Sequence, residues 1–239
     1  MASAAIRPRR GYRSGLREDQ AFRTRRRVID GATAVFLESG FGATTMKAVA
    51  LAAGVSVATV EGRFGTKARL LKAAIDVAIA GDDEPTARLD RPWATAARDA
   101  QCMEELLSVV AGVVGPAQER SAGLVLAVFE GASKVPELEA LAAQMTAQRA
   151  ATAGWVVERM TSLCPLRPGC GMEEAVDTVW ILMDPAVFTQ LTRERGWSTE
   201  RYQRWMVGAV TRLLLAQGPP RVEGHRTRSR QKEGSDGGR

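Results

Sequence analysis

The chain has 239 residues and a formal net charge of +6, and aromatic residues make up only 5% of it. A chain of this length can bury a substantial core as one large or two small domains, and its many alanines and leucines favour helices over sheets. No run of 18 or more apolar residues occurs, so the sequence predicts no membrane span. The arginine-containing start lacks the apolar stretch of a secretory signal. Cys102, Cys164 and Cys170 form no Cys-x-x-Cys pair, which fits a reduced, cytoplasmic protein.

Charge is divided unevenly along the chain. Residues 1–72 hold 14 Lys and Arg against 5 Asp and Glu, whereas residues 73–218 hold 13 against 19. A basic segment beside an acidic one indicates a region that binds a polyanion next to a region that does not. A solvated arginine-rich segment explains the same counts equally well.

Composition and periodicity predict four segments. Residues 1–20 mix arginine with glycine and few large apolar groups, which predicts a flexible basic arm, and residues 219–239 predict a disordered basic tail. Between them the periodicity is helical, without strand-like alternation or an internal repeat. The predicted class is all-α, with one helical segment over 21–72 and a second over 73–218.

Within residues 21–72 the first helix has one apolar face, and Gly40 is its predicted end. Thr44 or Thr45 can cap a second, short helix that Gly54 ends. The apolar face of the first helix consists of Val28, Ile29, Ala32, Val35 and Phe36.

Further caps follow at regular intervals. Ser56 can cap a third helix that runs to about Arg63, and Thr66 can cap a fourth that Gly81 closes. The two prolines and clustered charges of residues 82–92 predict a linker. Later helices are predicted to be bounded by Gly115-Pro116, Pro136, the loop from Cys164 to Cys170, Asp184-Pro185 and Gly196.

Two short helices that meet at Ala53-Gly54-Val55-Ser56 are typical of a helix-turn-helix. The glycine allows the sharp turn, the valine packs between the helices, and the serine begins the second one. Short side chains at the start of that helix let its N-terminus approach base edges in the major groove. Backbone N–H groups at the capped helix starts suit phosphate oxygens.

The stretch from Thr24 to Leu71 resembles the DNA-binding domain of the TetR regulators. The matching features are Gly40-Phe41, Thr44-Thr45, Val49-Ala50, Ala53 to Ser56, Thr59, Phe64, Thr66-Lys67 and Leu70-Leu71. The resemblance implies a sequence-specific regulator that binds double-stranded operator DNA as a homodimer, with a three-helix DNA-binding domain over 21–72 and a helical regulatory, ligand-binding and dimerisation domain over 73–218. It also implies that the last two long helices pair across the dimer axis, and a region near the C-terminus, from Ile181 to Met206, resembles one branch of the family.

The resemblance also implies site residues. Thr45, Thr59 and Lys67 would hold phosphates. The remaining DNA-binding candidates, at or near the groove, are Arg25, Thr44, Lys47, Ser56, Val57, Ala58, Glu61, Gly62 and Arg63.

Glu61 and Gly62 depart from the family pattern, which usually has a tyrosine and then a bulky or basic residue. Glu61 can accept from a cytosine amino group and so specify bases. Alternatively it points away and pairs with Arg63 or Arg69, which is the interpretation we favour. Gly62 within a short helix costs roughly 1 kcal/mol against alanine, so we expect packing of Val60 and Phe64 to order this helix.

Catalytic machinery is not evident in the sequence. The only histidine, His225, lies in the tail, so a Ser-His-Asp or Cys-His system has no base, and no phosphate-binding glycine motif occurs. We predict no enzyme activity, no metal and no cofactor. Cys164 and Cys170 flank a Pro-Gly loop, where ordinary loop cysteines are favoured over a redox switch.

Apolar residues of the second segment are candidates for core or for a ligand pocket. The family resemblance implies a cavity, and methionine and tryptophan suit an adaptable apolar ligand. The last helix carries apolar residues that need a partner surface, namely Trp205, Met206, Val210, Leu213 and Leu214. The pocket candidates are Met103, Met145, Trp155, Trp180 and Met183.

The favoured function is therefore a repressor that a small molecule releases from its operator. An enzyme or carrier with an incidental helix-turn-helix is a second hypothesis. A ligand-blind architectural DNA-binding protein is a third.

Overall fold

The computed structural model describes residues 10–84, 86 and 90–216, with side chains from residue 18 onward. The described chain is helical throughout, and an isolated antiparallel bridge between Leu166 and Leu215 is its only extended pairing. The predicted all-α class is confirmed. The helices are α1 (Arg10–Ala43), α2 (Met46–Ala53), α3 (Val57–Phe64), α4 (Lys67–Ala80), α5 (Pro92–Asp99), α6 (Met103–Ala132), α7 (Pro136–Leu163), α8 (Met172–Leu182), α9 (Pro185–Thr189) and α10 (Thr199–Leu214), and a π-helical turn, Gln190–Glu194, extends α9.

We call α1–α4 the head and α5–α10 the body. The head packs around Val28, Phe36 and Leu70, and its core continues into the facing sides of α6 and α7. A second apolar core, around Leu106, Val157 and other residues, lies within the body. All five tryptophans belong to the body, at Trp93, Trp155, Trp180, Trp197 and Trp205.

Helix α1 starts before the predicted domain boundary. It begins at Arg10, inside the segment assigned to the flexible arm; Arg17, Glu18 and Gln20 are good helix formers that favour this extension next to the predicted boundary. Residues 1–9 of the predicted arm and residues 219–239 of the predicted tail lie outside the described residues. At its other end α1 kinks at Gly40, whose φ of 69° breaks the helix where the sequence predicted a stop.

Hydroxyl caps fix the short helices of the head. The side chains of Thr45, Ser56 and Thr66 accept hydrogen bonds from the backbone N–H three residues later in α2, α3 and α4. Gly54, with φ 63° and ψ 43°, provides the left-handed turn between α2 and α3. A Cβ at Gly31 would lie 3.0 Å from the Ala53 nitrogen, so only glycine lets α1 approach α2 this closely. The predicted caps and stops are confirmed.

One predicted helix boundary is wrong. Helix α6 runs through Gly115-Pro116 without ending, although Pro116 has no N–H to donate to the carbonyl four residues earlier. Packing outweighs that loss, because Gln203 of α10 lies directly against Gly115 and donates from Nε2 to the Ala111 oxygen at 2.8 Å. The apolar side of α6 also continues across the proline, from Val110 to Leu124.

The remaining boundaries of the body are confirmed. Pro136 begins α7, Asp184 caps α9 by accepting from the Ala186 nitrogen at 2.7 Å, and Gly196 takes a φ of 66° before α10. Buried Tyr202 donates its hydroxyl to the Leu182 oxygen at 2.7 Å and so ties α10 to the end of α8. No helix in the described part of the chain is long and apolar enough to cross a membrane.

The apolar residues of α10 divide between two sides of the helix. Met206, Val210 and Leu214 are buried in the body's own core, so they need no further partner. Leu213 remains 50% exposed and Trp205 is half-buried on the other side.

Candidate nucleic-acid interface and internal cavity

One side of helix α3 packs into the core of the head, and its other side faces solvent. Val60 and Phe64 are buried in the head core, and Val55 in the turn packs against that core. The opposite side of α3 and the start of α2 form an exposed surface, which we call the α3 surface. Its exposed members are Thr45, Lys47, Ser56, Ala58, Glu61, Gly62 and Arg63, with Val57 and Thr59 half-buried at its edge.

Hydroxyl groups on this surface are already ordered by capping. Ser56 Oγ lies 2.8 Å from Thr59 Oγ1 and also accepts from the Thr59 nitrogen at 3.2 Å. Thr45 Oγ1 accepts from the Ala48 nitrogen at 3.1 Å. Because the first N–H groups of α2 and α3 have no intrahelical acceptors, both helix starts offer donors and a positive dipole end to an anion.

Thr44 is not part of the exposed surface. Its side chain is only 2% exposed, and its hydroxyl donates to the Gly40 oxygen at 2.6 Å. The side chain therefore stabilises the turn between α1 and α2, while its neighbour Thr45 faces outward.

Lys67, which the family resemblance assigns to a phosphate, contacts the same turn. Its ammonium donates to the carbonyls of Phe41 at 2.6 Å and Thr44 at 2.9 Å, with Gly42 at 3.4 Å, and lies 4.2 Å from the centre of the Phe41 ring. Desolvation by the surrounding protein lowers the pKa of Lys67. In this structure Lys67 therefore binds the turn between α1 and α2 and positions the start of α2.

Arg25 of α1 lies between α3 and the segment that follows α4. Its guanidinium forms a bidentate ion pair with Asp83, with Nε–Oδ2 at 2.8 Å and Nη2–Oδ1 at 3.0 Å, and lies 5.5 Å from the centre of the Phe64 ring. The Asp83 side chain is 6% exposed. Arg25, which belongs to α1, thus contacts both α3 and the segment that follows α4.

Glu61 and Gly62 both face solvent. No ion pair between Glu61 and either Arg63 or Arg69 occurs among the described residues, so both interpretations of Glu61 stay open. A Cβ at Gly62 would meet nothing within 4 Å, so packing within the head does not require glycine here.

A cavity of about 1210 Å³ lies between the head and the body. Its wall is formed by α1, α4, α6, α7, the end of α8 and residues after α4 that include Asp83. Three predicted pocket residues, Met145, Trp180 and Met183, line it. Met103 and Trp155 do not line it, and the Trp155 ring lies edge-on to that of Trp93, with the ring centres 5.7 Å apart.

Most charged groups on the cavity wall are paired within the protein, although Glu84 and Arg120 form no ion pair among the described residues. Arg91 binds Asp82 at 2.8 Å, and this contact lowers the pKa of Asp82 to about 2. Arg149 binds Asp184 at 2.5 Å and lies 4.6 Å from the centre of the Trp180 ring. The deeper wall is therefore apolar and aromatic, with few free charges.

Sequence reasoning missed Gln118 and Ser121 on the wall. Both are polar yet buried, at 8% and 3% exposure, and they occupy positions of α6 between apolar core residues. A polar residue at a core position of an amphipathic helix was the available signal. Cys164 and Cys170 are half-buried free thiols, and whether they have a redox role stays a prediction.

Comparison with known proteins agrees with this architecture. Residues 28–74 match the family model described as bacterial regulatory proteins, tetR family. A search of curated protein sequences finds no match.

Solved structures share the fold over most of the chain. NalD of Pseudomonas aeruginosa, the secondary repressor of the MexAB-OprM multidrug efflux pump, is 17% identical, with a TM-score of 0.60 over 82% of this chain and 98% of its own. A Saccharomonospora viridis protein solved in complex with choline is 16% identical, with a TM-score of 0.60 over 81% and 98%. SmeT in complex with triclosan is 15% identical, with a TM-score of 0.63 over 82% and 93%. At these identities the similarity shows the fold, with an N-terminal helix-turn-helix and a helical C-terminal part.

Proposed function

We propose that this chain, a member of the tetR family of bacterial regulatory proteins, is a cytoplasmic repressor that a small apolar ligand releases from its operator. The observation that carries the proposal is the contact made by Arg25. Arg25 and Asp83 both line the cavity, and Arg25 also lies over Phe64 of α3, the helix that we assign to base recognition. A ligand that moves the Asp83 segment would therefore move Arg25, which contacts Phe64 at the C-terminal end of α3.

Binding to DNA uses the α3 surface. Val57 and Ala58 are small enough to approach thymine methyl groups, while Lys47 and Arg63 are the exposed cations that can reach guanine O6 and N7. Thr45 and Thr59, with the helix starts beside them, are placed for phosphates. The basic head supports this assignment, since phosphate neutralisation dominates affinity for DNA.

A homodimer is required because one head contacts too little DNA for tight specific binding. The exposed sides of α8 and α10 have complementary charge. Helix α8 presents Glu173 and Asp177, whereas α10 presents Arg201 and Arg204, and apolar Ile181 and Leu213 are about half exposed on the same two helices. Packing α8 of one protomer on α10 of its partner would bring these charges together, and a dimer that binds successive major grooves must hold its two heads one DNA turn apart, about 34–36 Å.

Regulation by a ligand is supported by the cavity and by proteins of the same fold. NalD is a repressor, and SmeT and the Saccharomonospora protein were solved with triclosan and choline. A ligand releases the operator only if it binds the released state better than the DNA-bound state. The Arg25–Asp83 pair is the contact we assign to that difference.

Selection of bound fragments from genomic DNA tests the proposal, because it gives both the operator and its genes. We expect a palindromic site whose affinity falls when a cavity ligand is added. Binding without sequence preference would instead indicate an architectural protein, and ligand turnover without DNA affinity would indicate an enzyme.

The Arg25–Asp83 contact, to which we assign the coupling between ligand and DNA, is tested separately. Asp83→Asn is expected to retain operator binding and to weaken the effect of ligand on it. Asp76→Asn is the matched control, because Asp76 also lines the cavity and forms an ion pair, with Lys72 at 2.6 Å, but makes no contact with Arg25. Equal ligand responses in the two variants would refute the assigned route.

A further inference from the structure

The amide of Gln118 is buried in the cavity wall with only one end satisfied. Its Nε2 donates to the Met183 oxygen at 2.6 Å, and the side chain is 8% exposed. Because a carbonyl only accepts, this contact fixes which end of the amide is nitrogen. The Oε1 has no hydrogen bond from any described residue and is not fully enclosed by protein, so it is an open acceptor on the cavity wall that a ligand donor can reach.

A second acceptor lies on the same helix. Pro116 has no N–H, so the carbonyl of Gly112 loses its usual donor within α6. Gly112, Pro116 and Gln118 all line the cavity. The α6 wall therefore offers open acceptors, whereas its side-chain donors, Ser121 Oγ and the Arg120 guanidinium, already bind backbone carbonyls.

Charge on the wall disfavours an ionic ligand of either sign. Arg149 already lies over the Trp180 ring, so a cationic ligand seeking that aromatic face meets a like charge. An anionic ligand meets the lone pairs of Gln118 and Gly112. Three of the cavity arginines, Arg25, Arg91 and Arg149, already hold carboxylates, and the fourth, Arg120, binds the backbone carbonyls of Ala78 and Ile79.

We propose that the cavity takes an uncharged, mainly apolar molecule that carries one hydrogen-bond donor, such as an aromatic alcohol, and that Gln118 Oε1 accepts from that donor. The inference rests on the proposed role of the cavity as the effector site and adds the chemical class of the effector. Gln118 is then the residue that determines specificity, and the apolar wall of Val110, Met145 and Met183 contributes affinity without discrimination.

The test compares four naphthalene probes by calorimetry on the full-length protein without DNA. These are 1-naphthol, its methyl ether, 1-naphthoate and 1-naphthylmethylammonium, which share one ring system and differ in donor and charge. We expect 1-naphthol to bind about tenfold more tightly than the ether, the factor for one hydrogen bond to a buried acceptor, and more tightly than either ion. Equal affinity for alcohol and ether, tighter binding of an ion, or no binding by any probe would overturn the proposal.

Gln118→Leu is expected to bring the ratio of alcohol to ether affinities close to one. Gln144→Leu is the matched control, because Gln144 also lines the cavity but is exposed, and it should keep the ratio. Should Gln118→Leu fail to fold, Gln118→Met gives the same measurement with an unbranched side chain. A ratio that survives the Gln118 substitution refutes the assignment.

Operator binding separates this inference from the proposed function. If 1-naphthol binds with the expected preference but leaves operator affinity unchanged, the cavity chemistry stands and ligand release fails. If operator binding is specific and no probe binds, the inference fails while DNA recognition stands.

Discussion

The head and the body differ in how far apart along the chain their stabilising residues lie. In the head, each short helix is fixed by a hydroxyl that caps the backbone three residues later, at Thr45, Ser56 and Thr66. In the body, the defining contacts join distant parts of the chain, such as Gln203 with Ala111, 92 residues apart. The short helices of the head are thus fixed by contacts within the head, although its core continues into α6 and α7. In the body the long-range polar contacts add to an apolar core, and we expect a ligand that competes for these polar contacts to change the shape of the body.

The largest expected effect is loss of the dimer, with the structure of the head unchanged. Leu213→Arg places a charge on the half-exposed apolar side of α10. We expect sedimentation to show a monomer, with operator affinity reduced to the non-specific level, about 1000-fold weaker. The head should keep its structure, because its caps lie within the head itself. Ala96→Arg adds the same charge to an exposed site on α5 and should leave the dimer intact; a dimeric Leu213→Arg protein would refute the interface.

The next effect separates base reading from positioning within the head. Lys47→Ala or Arg63→Ala should cost about 1–3 kcal/mol on the best site and relax preference at particular base pairs. The measurement is a panel of single-base operator variants at one fixed salt concentration. Unchanged base preferences in both variants would make Glu61 the first alternative base reader.

Lys67→Ala is expected to act through the fold. It removes the ammonium that binds the carbonyls of Phe41 and Thr44, which should lower the free energy of unfolding by about 2 kcal/mol, since bonds to charged groups contribute more than neutral ones. The start of α2 then loosens, so good and poor DNA sites should weaken by the same factor. Chemical denaturation and the operator panel measure the two effects. A stable Lys67→Ala protein with weakened DNA binding would instead favour the direct phosphate contact.

The smallest effect concerns Gly62. Because a Cβ has open space there, Gly62→Ala should raise the free energy of unfolding by roughly 1 kcal/mol. If DNA approaches the helix closely, the added methyl group should also weaken operator binding. Gly154→Ala is the matched control, a helical glycine in α7 with equal space, and should stabilise without changing DNA affinity. Equal operator affinities in the two variants would place Gly62 away from DNA.

The sequence predicted the head closely because its signals are local. A serine or threonine before a helix, a glycine after it and a three-residue spacing suffice to identify the ends of α2, α3 and α4. Lys67 and Arg25 were harder to predict. Their partners lie at Phe41 and Asp83, 26 and 58 residues away, and no local pattern shows such contacts.

The body was predicted less well for the same reason. Pro116 indicated a helix end, but packing between α6 and α10 keeps the helix continuous. Met103 and Trp155 were chosen by residue type, whereas the cavity wall depends on which side of each helix faces the gap between head and body. Gln118 was overlooked because its partner, Met183, comes from α8.

The tryptophans give the two regions separate optical signals. All five lie in the body, two of them, Trp93 and Trp180, on the cavity wall, and the head has none. Fluorescence therefore follows the body alone, whereas far-ultraviolet circular dichroism follows the helices of both regions. Denaturation curves from the two methods that coincide would mean that head and body unfold as one cooperative unit, and curves that separate would give each region its own stability.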